Sequence, residues 1–126
     1  MRLSQKVLKK RFKIFNEKYF KGELVEPDFI VTGSKWVAGM FNCDVYLDND
    51  DDGSQYATEL KKLRIRLSKR LIKNSKILDD ILLHEMIHYY GYFMNEDIEG
   101  EHGKFFKKWA RKINKDGYKI QKYYDY

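Results

Sequence analysis

The sequence predicts an α+β domain built from an N-terminal helix, a three- to four-stranded, mainly antiparallel sheet, a central helix and a C-terminal helix. Three observations predict it. Apolar residues recur at helical spacing near both ends, residues 28–68 are β-branched and aromatic between turn signals, and residues 77–87 are apolar almost all round. Ser4 is placed to cap a first helix over about 4–20, whose apolar residues Val7, Leu8, Ile14, Phe15 and Tyr19 share a broad face and which Gly22 stops. After Pro27 come the runs FIVT, WVAGMFNC and DVYLD, read as strands, and then the acidic turn DNDDDG at 48–53. LRIRLS, 63–68, alternates with Leu63, Ile65 and Leu67 inward and Arg64 and Arg66 outward. From Asn74 or Ser75 as cap, a long helix runs to about 93 and is apolar enough to lie centrally buried. In a last helix Phe105, Phe106, Trp109, Ala110 and Ile113 form one face and Lys104, Lys107, Lys108, Arg111 and Lys112 the other, until Gly117.

At 126 residues with 43% hydrophobic and 16% aromatic composition, the chain can fill one core, and one domain over residues 1–126 is expected. No N-terminal run reads as a signal peptide and no stretch is long and apolar enough to span a bilayer. A cytoplasmic protein without membrane contact is therefore expected. The single Cys43 excludes an internal disulfide and a multi-cysteine zinc ribbon, and reads as a small core filler. The acidic run at 48–53 resembles a fragment of a calcium loop, but its flanks read as strands, so a solvated turn is expected.

Net charge is +6, distributed unevenly: residues 1–21 carry eight Lys/Arg against Glu17, and residues 103–126 carry eight against Asp116 and Asp125. The stretch between them is acidic. If the two ends pack together they form a basic surface suited to a polyanion such as DNA; otherwise they are solvated helix faces.

The chemistry concentrates in LLHEMIHYYG, 82–91. Four residues on a helix rise about 6 Å and return to the same face, so His84 and His88 can share one ion. Glu85 then lies beside them without being a ligand. Three protein ligands and a solvent molecule make a catalytic zinc site, and a nearby carboxylate serves as its general base. The alternative for such a pair is two satisfied core histidines. A third ligand must come from elsewhere. The extension H-E-x-x-H-x-x-G-x-x-H matches at Gly91 but fails at Met94. Glu96, Glu99 or Glu101 could complete the set, but His102 is favoured because imidazole is a usual catalytic zinc ligand and Gly103 beside it permits close approach. The acids at 96–101 otherwise read as a solvated loop, or one of them as the acceptor that fixes an imidazole tautomer. Tyr89, Tyr92 and Tyr118 are available as oxyanion donors but read as structural.

On these residues the sequence resembles the SprT-like family, which includes the Spartan-type proteases that digest proteins crosslinked to DNA. The likeness is most specific in LLHEMIHYY (82–90) and EHGKFFKKWARKIN (101–114), and extends to FNEKYFKGEL (15–24), WVAGMF (36–41) and IRLSKRL (65–71). The resemblance implies a zincin-like fold, Zn2+ held by His84, His88 and His102, Glu85 as catalytic base, and peptidase activity on DNA-bound protein. Two features depart from the family pattern: Glu101 stands where a glycine is common, and the cysteine-rich zinc ribbon that often follows is absent. A substrate strand is expected to add to the sheet near LRIRLS or its neighbour. Two other functions compete: a nucleic-acid-binding module with structural zinc, and a zinc hydrolase with no DNA role.

Overall fold

The computed structural model describes residues 2–94 and 102–122, with residues 55–58 as backbone only. The elements are α1 (Gln5–Tyr19), β1 (Asp28–Thr32), β2 (Gly39–Asn49), β3 (Gln55–Ser68), α2 (Ser75–Phe93) and α3 (Lys104–Asn114). This is the expected α+β class, with three helices and one mixed three-stranded sheet ordered β1-β3-β2 among the described residues. No helix among the described residues is long and apolar enough to cross a membrane.

α1 starts where Ser4 accepts a hydrogen bond from the Val7 N–H at 3.2 Å. Its buried stripe is Leu8, Phe12, Phe15, Asn16 and Tyr19, whereas Ile14 is exposed. Of the expected face, Leu8, Phe15 and Tyr19 are buried and Val7 packs against the core, while Ile14 alone turns out, because it lies about 100° off Phe15 and the buried side follows the spacing 8-12-15-19. Asn16 earns its burial by clamping Leu24, donating to its carbonyl at 2.8 Å and accepting from its N–H at 3.1 Å. Lys21 and Gly22 both take left-handed backbone there, and Gly22 N–H closes on Asn16 O at 2.9 Å.

GMFNC, from the run WVAGMFNC, and DVYLD form one strand, β2, instead of two, and Trp36, Val37 and Ala38 precede it. Nothing between Cys43 and Asp44 turns the chain, and register shifts between Asn42 and Asp44 and between Tyr46 and Leu47 absorb the irregularity as bulges. β2 and β3 make a long antiparallel hairpin whose acidic tip is tied by Asp50 Oδ1, which accepts from Asp52 N–H and Ser54 N–H at 3.3 and 2.8 Å. β1 pairs parallel to β3, with Phe29 opposite Ile65 and Val31 opposite Leu67. LRIRLS is therefore the central strand, and from Arg64 to Ser68 it is paired with β1.

The buried Phe41, Ile65 and Leu67 lie on the strands that pack on α2, which is buried along most of its length as its composition predicts, while Phe29 of β1 meets Phe12 of α1 edge-on at 5.9 Å. Tyr89 ties three elements together: its ring stacks on Phe41 at 4.8 Å and on Phe12 at 6.5 Å, and its hydroxyl donates to Val25 O at 2.8 Å. Cys43 is half-buried against this core, and burial pushes its thiol pKa up. α3 packs on α2 through Phe106, Ala110 and Ile113 with its basic residues outward. The two ends of the chain do meet: Tyr19 donates to Asp116 at 2.6 Å, and Phe15 lies edge-on to Tyr118.

Candidate metal centre

Asn74 caps α2, its side chain accepting from Ile77 N–H at 2.9 Å, and the helix then runs unbroken through Gly91 to Phe93. Position 94 is a methionine at the end of this unbroken helix, and the third imidazole comes instead from His102, the residue before the N-cap of α3. Gly103 is the N-cap of α3 with φ −79°, so its use there is not a left-handed turn. The acids proposed as alternative ligands, Glu96, Glu99 and Glu101, lie outside the described residues.

The structure brings His84, His88 and His102 together. His84 Nε2 is 3.1 Å from His88 Nε2 and 3.2 Å from His102 Nε2, and the three ligand atoms all fall within 4.8 Å of one another. Ligands on tetrahedral zinc, with Zn–N of about 2.0–2.1 Å, sit about 3.3–3.4 Å apart, so two of the three separations match an ion's coordination edge. His84 Nδ1 lies 2.8 Å from Gln121 O. A carbonyl only accepts, so the proton is on Nδ1 and the Nε2 lone pair points at the other two rings. A lone pair aimed in this way at two further imidazole nitrogens suits a shared cation. Burial, with the neighbouring His88 and His102 rings adding to it, pushes the His84 pKa down to about 3. Burial and then His102 push His88 down to about 4. Both rings are neutral at pH 7, the state in which imidazole binds metal.

Glu85 is buried at 6% exposure, with Oε2 3.9 Å from His84 Nε2. Its position is set by Gly39 at the start of β2: a Cβ built there would lie 2.7 Å from Ile81 Cγ2, 3.1 Å from Glu85 Oε2 and 3.2 Å from Glu85 Cγ. Only a residue without a side chain fits. Phe106 holds the imidazoles from the α3 side, its ring 4.7 Å from His84, 5.0 Å from His88 and 4.9 Å from His102. Sequence reasoning placed Phe106 on an apolar helix face and missed this role. Gln121 and Gly39 were missed as well. Tyr89 is structural, since its hydroxyl is bonded to Val25 O, and Tyr118 packs edge-on to Phe15 and Tyr19.

Beside His102 runs a groove of about 550 Å³, floored by Phe106, Ala110 and Ile120 and rimmed by Lys107, Arg111, Lys115 and Lys122. Around the start of the edge strand β2, whose Gly39 closes on Glu85, the apolar Trp36, Val37 and Met40 are exposed.

The SprT-like family matches residues 8–124 of this chain. A bovine protein, the DNA-dependent metalloprotease SPRTN of Bos taurus, is 31% identical over 105 residues, which cover 82% of this chain and 20% of the relative. The chain thus spans about a fifth of that relative's length. With the family match covering most of the sequence, the chain belongs to the SprT-like family, a family of metalloprotease type.

Proposed function

We propose that this SprT-like chain is a zinc-dependent endopeptidase acting on proteins bound or crosslinked to DNA, with His84, His88 and His102 as zinc ligands and Glu85 as general base. The observation that carries the reading is the convergence of three imidazoles, those of His84 and His88 neutral at pH 7 and the first with its Nδ1–H already donated to Gln121 O, with a buried carboxylate alongside. Among the described residues three protein ligands converge rather than four, which leaves a position for solvent and separates a catalytic from a structural zinc site. When bound, zinc supplies Lewis acidity at the scissile carbonyl and toward the attacking water.

The protein's own residues do the rest. Glu85 accepts the proton of the water as it attacks and passes it to the leaving amine. Gly39 lets β2 approach until Glu85 is pressed between the strand and α2. Substrate backbone adds to the edge of β2 not paired with β3, which runs past Glu85 at Gly39, with Trp36, Val37 and Met40 offering apolar contact. Lys107, Arg111, Lys115 and Lys122 give a polyanion a path next to His102, which supports a substrate held on DNA.

The test is Glu85→Gln assayed on a DNA-associated protein. The variant should keep its zinc while cleavage falls about 10²- to 10⁴-fold, the usual worth of a general base. Undiminished turnover removes Glu85 from the mechanism. DNA retention should weaken steeply with salt; retention that ignores salt, or none at low salt, favours a zinc hydrolase with no DNA role.

A further inference from the structure

We infer that residues 117–121 form a strap along α2 that fixes the His84 ring for metal binding, and that Asn114 and Asp80 are its positioning residues. The inference rests on the metal site proposed above. The strap meets α2 at three successive turns: Lys76 Nζ donates to Gly117 O at 3.4 Å, Lys119 N–H donates to Asp80 Oδ1 at 3.0 Å, and His84 Nδ1–H donates to Gln121 O at 2.8 Å. Each step advances four residues on the helix and two on the strap. Four helical residues rise about 6 Å and two extended residues span about 6.6 Å, so the two repeats stay in step and the third rung falls on the metal-site histidine.

The strap is fixed independently at its middle. Asn114, the last residue of α3, accepts from Ile120 N–H at 2.7 Å and donates to Ile120 O at 3.0 Å, while the Ile120 side chain is buried in the core. Gly117, with φ 98°, lets the chain turn back from the end of α3 to make this contact. With Ile120 held on both backbone groups, the next carbonyl, that of Gln121, is delivered to His84. An imidazole with a fixed acceptor on Nδ1 keeps one tautomer and one ring orientation; without it the ring exchanges tautomers and turns about Cβ–Cγ, and its Nε2 is presented only part of the time.

The test uses the full chain with zinc as probe. Asn114→Ala should remain folded by circular dichroism, yet its zinc affinity in chelator competition should fall about 10- to 100-fold, the range for losing a partner that orients a ligand. In the metal-free protein, the hydrogen-bonded Nδ1 proton of His84 should give a ring resonance that the variant loses. Lys119→Pro changes an exposed residue and deletes the N–H that Asp80 accepts, and should do the same if Asn114→Ala does not fold. A purely structural strap would lower the melting temperature and leave the zinc affinity and the ring resonance of the folded variants unchanged, which would overturn the inference. Loss of folding in both variants would likewise overturn it as a device separable from the fold. Failure of the unaltered chain to bind zinc overturns the metal site itself and the inference with it, whereas tight binding shared by the unaltered chain and its folded variants overturns the inference alone.

Discussion

Replacing Gly39 with alanine isolates how closely the edge strand must approach the general base. The added methyl would sit 2.7 Å from Ile81 Cγ2 and 3.1 Å from Glu85 Oε2, where unstrained carbon contacts begin at about 3.5 Å. Ile81 and Glu85 are one helical turn apart on a helix packed against the core, so neither can withdraw without moving α2 or β2. Overpacking of this kind costs about 1–3 kcal/mol. Relief requires about 1 Å of movement at Ile81 and a few tenths at Glu85, and a displacement of about 1 Å at a reacting group can cost 10²-fold in rate. We therefore expect Gly39→Ala to lower the urea midpoint by the equivalent of about 1–3 kcal/mol, and to cut peptide-bond cleavage by more than the loss of folded protein accounts for. Zinc content should stay stoichiometric, because the atoms nearest the added methyl belong to Ile81 and Glu85 and not to a ligand. A variant with wild-type stability and turnover would show that β2 does not set the position of Glu85.

The other predictions concern the scaffold. Arg11 Nε and Nη2 form a fork on the two carboxylate oxygens of Asp79, whose side chain is 12% exposed, and this pairing raises the Arg11 pKa. Arg11→Ala strands that carboxylate and should cost about 2 kcal/mol in urea unfolding, less than the 3–5 kcal/mol of a fully buried pair because Arg11 is itself partly exposed; a change under about 0.5 kcal/mol would contradict the account. Burial raises Tyr89 from 10.0 to about 12. Between those values the unfolded chain releases a proton that the folded chain keeps, so its contribution to stability, complete below pH 10, is lost as pH rises toward 12. Tyr89→Phe should flatten that alkaline slope and cost about 1 kcal/mol at neutral pH through the lost bond to Val25 O, both measurable by urea titration at stepped pH.

The sequence exposed those parts of the fold that depend on local pattern. Asn74, the apolar run after it and the alternation in LRIRLS define α2 and the core of β3, because capping and side-chain periodicity act over a few residues. The same locality made His84, Glu85 and His88 readable, since helical geometry alone puts them together. His102 lies eighteen residues from His84 and was reached through ligand chemistry and family resemblance rather than periodicity. What stayed hidden was decided by tertiary contact. The parallel return of β1, the fusion of two short runs into β2 and the outward turn of Ile14 on α1 depend on what each element packs against. Gln121 acts through its backbone carbonyl, a group every residue has, so no residue type could mark it. Gly39 matters for the volume it leaves to Glu85, and a glycine in a strand pattern signals a close approach without saying to what.

The central claim is that three imidazoles share one ion. Metal analysis of the purified chain beside His102→Ala tests it most directly: the account predicts one zinc per unaltered chain and, for the folded variant, an ion lost to mild chelation. Equal zinc, held with equal affinity, in both proteins would contradict it.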